Sequence, residues 1–337
     1  MKSVEPTIAV VIATRNRAKQ LKRTLLSLQE QLLGQMVPDV IVVDNGSTDD
    51  TAAVLTDEWP GLNLLSLYEG SVGKSKALNR ALSVVRNELV AFTDDDVTAA
   101  PTWLADIVQA SARYPTAAVF CGPIIPCFPA EIPQWVRTHS KSGAFFGQFE
   151  PQDYEGPLAG EITPFGANFA VRQFALRDIR FRDWLGPSLE HGPLFGEDTE
   201  FVRRIRSRYE QCVFLPSAKI FHHIMVPTIE LDWIFERAFH FGRSIILLYG
   251  RPAVLDPPYA LEDGTDEQRR SEQGGVLNYY YGQLCQLRIS GRTNADFEAQ
   301  LHHALEGLQI DPYQTTLLGK SARQFLLTHT RIKVGEQ

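Results

Sequence analysis

The chain has 337 residues, 44% apolar and 22% charged, a composition that suits a folded globular protein and excludes a disordered one. Its 33 basic and 40 acidic side chains sum to −7, so the bulk composition carries no basic field for a polyanion and argues against a nucleic-acid partner. Four cysteines without a CxxC pair argue against a disulfide framework or a cysteine zinc site, and no run approaches the ~18–20 apolar residues of a membrane span.

The first apolar run, residues 7–13, is β-branched and reads as a strand buried on both faces. It is too short for a signal peptide and is followed at once by Arg15 and Arg17, so a soluble, cytoplasmic protein is expected. Leu21, Leu25, Leu28 and Leu32 then form one helical stripe. Strands are predicted at 40–43, 62–67, 89–92 and 117–121. Helices are predicted near 50–58, after Gly73 with Ala77, Leu78, Ala81, Leu82 and Val85 inward, and after Pro101 with Trp103, Leu104, Ile107 and Val108 inward. Such repeated βα units predict an α/β fold with a mainly parallel sheet and helices on both faces, its ligand outside the carboxyl ends of the strands.

Residues 122–165 change character: prolines interrupt them, and Trp135, Phe145, Phe146, Phe149 and Tyr154 supply aromatic faces, which suits a binding loop or lid. Strands at 167–171, 213–215 and 218–224 and a helix near 198–208 follow, then an aromatic-rich helix at 229–249. Residues 251–275 read as a flexible linker, and the remainder as two or three helices. The expected domains are 1–228 and a helical region, 229–337.

Polar clusters stand at two strand ends, Asp44 to Asp49 and Asp94-Asp95-Asp96. Three adjacent carboxylates in a cleft repel one another unless a cation compensates, and such hard oxygen donors suit Mg²⁺ or Mn²⁺; a solvated acidic turn is the plainer alternative. Gly73-Lys74 is no phosphate loop, because Tyr68 stands where the first glycine is required; a helix start near Lys74 and Lys76 still attracts a diphosphate. Gly196-Glu197-Asp198 opens a helix, where the acids serve either as dipole-matching caps or as a general base. Of His222 and His223, on an extended segment, only one can face a cleft.

In order, the segments 11–17, 41–49, 76–79 (Lys-Ala-Leu-Asn), 92–96, 166–169, 196–198 and 216–222 resemble the inverting glycosyltransferases of family 2, with the GT-A fold. That resemblance implies that Asp44 bonds the nucleotide base, with Thr14 and Arg15 lining its pocket and Lys76 near base or diphosphate. It implies that Asp94 contacts the ribose side, with Asp95 among the nucleotide-binding acids, and that Asp96 and His222 hold Mn²⁺ or Mg²⁺. Asp198 becomes the catalytic base, Glu197 shapes its setting, and Gly166 to Asn168 sit near donor sugar or acceptor. Relatives often carry Asp where this chain has Asn45. The partners implied are a nucleoside-diphosphate sugar and a glycan or lipid-linked acceptor. An inactive nucleotide-binding module and a sugar-nucleotide pyrophosphorylase stand as alternatives; the latter expects a Gly-rich loop after the first strand, where Thr14-Arg15-Asn16-Arg17 has no glycine. Helix 229–249 is open to membrane-surface contact or core packing, and the C-terminal helices to dimerisation or acceptor binding.

Overall fold

The computed structural model describes residues 6–34, 36–133, 136, 146–159, 162–188, 192–209, 211–250, 266–290, 305 and 315–329. Trp135 and Phe145 of the expected aromatic loop, and 251–265 of the expected linker, lie outside the described residues. The chain divides into two compact units, 1–127 with 142–191 and 196–223, and 128–141 with 192–195 and 224–337.

The first unit is built on β1 (Ile8–Thr14), β2 (Asp39–Asp44), β3 (Asn63–Tyr68) and β4 (Leu89–Thr93), mutually parallel in the order β3-β2-β1-β4. Alternate residues of β1 leave on opposite faces: Ile8, Val10 and Ile12 enter one core, Ala9 and Val11 the other. Helices α1 (Ala18–Gln29) and α4 (Trp103–Arg113) close the first face. Helix α3 (Lys74–Val84) closes the second, while α2 (Thr51–Thr56) follows β2. Burial on both sides explains why β1 and β4 read as unbroken apolar runs.

Beyond β4 the sheet continues with β9 (Phe169–Arg172), β6 (Val119–Cys121), β10 (Cys212–Phe214) and β8 (Gly156–Pro157). Strand β9 runs antiparallel to both β4 and β6. A second, three-stranded sheet, β5 (Val97–Ala99), β11 (Ile220–His223) and β7 (Ile124–Cys127) in the order β5-β11-β7, stands beside the carboxyl end of β4. Helix α5 (Glu197–Arg206) buries Phe201, Val202 and Ile205 and carries acids in its first turn and arginines in its last, matching the helix dipole at both ends.

The second unit contains α6 (Leu231–Tyr249), α7 (Asp266–Ile289) and α8 (Lys320–His329). Residues 266–275, expected as part of the linker, are helical. Helices α6 and α7 approach to backbone contact, since a Cβ on Gly282 would stand 1.8 Å from the Phe239 carbonyl and one on Gly242 2.0 Å from that of Tyr279. Ile234, Phe235, Ala238, Phe239, Ile245 and Ile246 are buried on α6, so this helix is core-packed along that stripe. Among the described residues no helix is long and apolar enough to cross a membrane.

One buried amide clamps the first unit. Asn168 accepts from Trp103 Nε1 at 2.8 Å and donates to the carbonyls of Pro123 (2.8 Å) and Ala218 (2.7 Å). Truncation to alanine takes this partner from the Trp103 indole N–H and the Ala218 carbonyl, while the Pro123 carbonyl keeps the Ile220 N–H at 3.0 Å. Asn168→Ala is expected to cost roughly 2–4 kcal/mol, read as a fall in thermal midpoint on the order of 5–10 °C.

Candidate active site at the carboxyl rim of the sheet

The parallel strands end together, and the polar residues that follow them converge. Thr14, the last residue of β1, pairs with Asp44, the last of β2. Its hydroxyl donates to Asp95 Oδ2 at 2.7 Å. Asp44 is buried and accepts the Ser47 N–H at 2.8 Å, while Arg15 is exposed. Arg17 reaches the same cluster: its Nη1 lies 2.9 Å from Asp95 Oδ1 and 2.7 Å from Asp96 Oδ2.

Asp96 is divided between two environments. Oδ2 is held by Arg17; among the described residues the buried Oδ1 has no hydrogen-bond partner, and His222 Nε2 stands 3.6 Å from it. His222 Nδ1 is 3.1 Å from the Phe146 carbonyl, which orients the ring. His223 faces away, with its Nε2 2.7 Å from Thr98 Oγ1, so alternation along β11 selects His222 for the cluster.

Lys74, the first residue of α3, joins the other two acids. Its Nζ is 2.9 Å from Asp94 Oδ1 and 3.1 Å from Glu197 Oε1. Glu197 and Asp198 open α5 after Gly196, whose φ of +91° is a left-handed conformation that suits glycine. Asp198 Oδ2 accepts the Gly166 N–H and its Oδ1 the Thr199 N–H at 2.9 Å. Lys76, two residues further along α3, is half-buried with its stem against Gly73.

Burial and charge set these groups apart. Burial pushes Glu197 up to about 7, assisted by Asp198 and opposed by Lys74. Burial also raises Asp95 to about 6 against the pull of Arg17. At Asp96 burial works in the same upward direction, but His222, Arg17 and Lys74 outweigh it and hold the carboxyl at about 2. His222 is raised: Asp96 and Asp94 outweigh its desolvation. Lys74 stays protonated although burial opposes it, because Asp94, Glu197 and Asp198 surround it.

An ionised carboxylate with one orphaned oxygen beside an imidazole fits a hard divalent cation. Among the described residues no group of three or more His, Cys, Asp and Glu side chains forms a ready-made metal centre. Two protein donors leave the remaining positions to phosphate oxygens and water, the usual way Mg²⁺ or Mn²⁺ is held beside a nucleotide.

The structure thus gathers Thr14, Asp44, Asp94, Asp95, Asp96, His222, Glu197 and Asp198 on one rim. Sequence reasoning did not find the pairing roles of Arg17 and Lys74; their only signal was a basic residue just past a strand end and another at a helix start. Asn168, expected near a substrate, is wholly engaged inside the protein, and of that segment Gly166 is the residue that reaches Asp198.

Asn45 explains itself here. Its Nδ2 donates to the carbonyls of Glu69 (2.9 Å) and Ser71 (3.0 Å), and its Oδ1 accepts from Gly73 N at 2.6 Å. A carboxylate can do only the last of these. Asn45→Asp is expected to lose roughly 2–4 kcal/mol, measured by urea denaturation; an unmoved midpoint would show that these bonds contribute nothing net.

Residues 9–180 match the family described as Glycosyl transferase family 2. The chain is 28% identical to the succinoglycan biosynthesis protein ExoM of Rhizobium meliloti (strain 1021) over 238 residues, 68% of this chain and 71% of that protein. It spans only 26% to 49% of the length of several other curated relatives. Its fold is similar to that of S. aureus TarS 1–349 in complex with UDP (TM-score 0.52, 18% identity, 94% of this chain and 91% of that one). It is also similar to mannosyltransferase PcManGT from Pyrobaculum calidifontis in complex with GDP-Man and Mn²⁺ (TM-score 0.53, 19% identity, 96% and 86%).

Proposed function

The chain belongs to glycosyl transferase family 2, and from that premise we propose that it moves a sugar from a nucleoside-diphosphate donor, UDP-linked by preference, to a hydroxyl of a glycan or lipid-linked acceptor, inverting the anomeric centre in one displacement. The observation that carries the reading is the junction at Lys74, where an acid of the expected nucleotide side, Asp94, and an acid beside the expected base, Glu197, share one ammonium. Residues 1–228 are read as the catalytic domain and 229–337 as its helical companion. ExoM, named for succinoglycan biosynthesis, supports a place in polysaccharide assembly. Cytoplasmic residence, at the inner membrane face for a lipid-linked acceptor, belongs to the same reading.

In this reading Asp44, with Thr14 and Arg15, binds the base, Asp94 lies on the ribose side, and Lys76 attracts the diphosphate. Asp95, locked by Thr14 and Arg17, holds the strand-end turn that presents Asp96. Asp96 and His222 would hold Mn²⁺ or Mg²⁺, which when bound supplies Lewis-acid stabilisation of the charge growing on the leaving diphosphate. Asp198 takes the proton from the attacking acceptor hydroxyl at a carboxylate oxygen. The hydroxyl oxygen bonds the anomeric carbon as the carbon–oxygen bond to the diphosphate breaks on the opposite face, so no sugar–enzyme bond forms.

The decisive assay is release of nucleoside diphosphate across UDP-, GDP- and dTDP-sugars with Mn²⁺ or Mg²⁺. Asp198→Asn is expected to lower transfer roughly 10²- to 10⁴-fold with nucleotide affinity close to wild type; loss of nucleotide binding instead removes Asp198 from the role of base. Metal-independent thermal stability with all three nucleoside diphosphates would favour the inactive-module reading.

A further inference from the structure

Lys74 contacts neither of the residues assigned above to the base or to the cation, yet it touches a neighbour of each. Its ammonium sits between Asp94, two residues before Asp96, and Glu197, one residue before Asp198. These acids come from separate parts of the chain, the turn after β4 and the N-terminus of α5.

The surroundings of Glu197 are closed. A Cβ on Gly186, whose φ is +98°, would stand 3.3 Å from both Glu197 Cδ and Ser75 Oγ. Ser75 Oγ in turn donates to the Leu185 carbonyl at 2.5 Å, and Gly73 pairs with Ser188 in an isolated bridge. The start of α3, the segment around 185–188 and the start of α5 are therefore stitched around the pair of buried Glu197 and half-buried Lys74. Beside it, Asp198 receives the Gly166 N–H on Oδ2 and the Thr199 N–H on Oδ1. Without Lys74, Glu197 and Asp198 would stand as adjacent carboxylates, Asp198 still held by the Gly166 and Thr199 N–H groups but Glu197 left to the α5 dipole.

We propose that Lys74 is a positioning residue for the transfer step: through Glu197 it fixes the first turn of α5 and thereby the orientation of Asp198 against Gly166. This deepens the proposed function and rests on it for the role of Asp198. Lys74 also holds Asp94, but that carboxylate is 28% exposed and stays open to solvent when the ammonium is removed, whereas Glu197, 6% exposed, is left buried; loss of Lys74 therefore disturbs turnover more than donor binding. A small misplacement of a reacting group is enough to cost about a hundredfold in rate.

The test combines kinetics with amide hydrogen exchange on the full chain. Lys74→Met is expected to lower kcat about a hundredfold while the donor KM changes less than about threefold. Lys74→Arg, which keeps a cation between the two acids, should return kcat to within about tenfold of wild type. If Lys74 works through Glu197, the pair K74M/E197Q should be no slower than K74M alone. Exchange should quicken in K74M at Gly166 and at 197–199 and stay unchanged in β1 to β4. A raised donor KM with unaltered kcat, unchanged exchange at Gly166, additive losses in the double variant, or loss of protection throughout β1 to β4 would each overturn the proposal. Should the wild-type chain transfer from no sugar nucleotide, the transferase reading of the site fails by itself, and the exchange pattern still decides whether Lys74 holds Asp198.

Discussion

Mutual repulsion among carboxylates is the constraint on which the rest of this site depends. Two like charges about 4 Å apart near a protein surface cost about 4 kcal/mol, and Asp94, Asp95, Asp96, Glu197 and Asp198 crowd one rim. Lys74 and Arg17 make the arrangement tenable, each dividing one cation between two acids. The division is unequal in effect: Asp96 is held ionised while Asp95 and Glu197 are driven toward neutrality by burial. One cluster therefore contains both a carboxylate held ionised and carboxyls pushed toward neutrality.

Neutral amides do the fastening that charged groups would do badly. Asn45 gathers the chain from Glu69 to Gly73, and Asn168 joins Trp103 to the loops at Pro123 and Ala218. Both are buried and both use donor and acceptor ends together. An aspartate at either position would add a negative charge to the acidic rim or its underside and forfeit two donors. The residue at 45 that departs from the family's habit is thus accounted for by local hydrogen bonding.

What was legible in the sequence follows from how strongly each feature is written there. The runs that became β1, β2 and β4 are apolar and buried on both faces, and the acids that end β2 and follow β4 announce a rim. Strands β5 and β7 have three and four residues, one of them containing Pro126, too short to carry a period. The reversed direction of β9 is invisible because apolar composition does not distinguish parallel from antiparallel pairing. Gly274 and Gly275 close the stretch expected as a linker, yet a Cβ on Gly274 would stand 2.2 Å from the Phe235 ring; there the glycine serves close helix packing. At the site, residue types were readable but partners were not. Lys74 and Lys76 lie about 200° apart around a helix, and only the fold says which one meets Asp94 and Glu197.

Strand β9 has one more consequence. Because it runs against β4 and β6, the residues upstream of it arrive at the acidic rim, where its neighbours instead deliver what comes downstream. Gly166, at the end of that upstream stretch, is how the backbone meets Asp198. Insertions or deletions before Gly166 would therefore remodel the rim beside Asp198 directly while leaving the ladder of β9 in register, which gives evolution a place to reshape that rim without rebuilding β1 to β4.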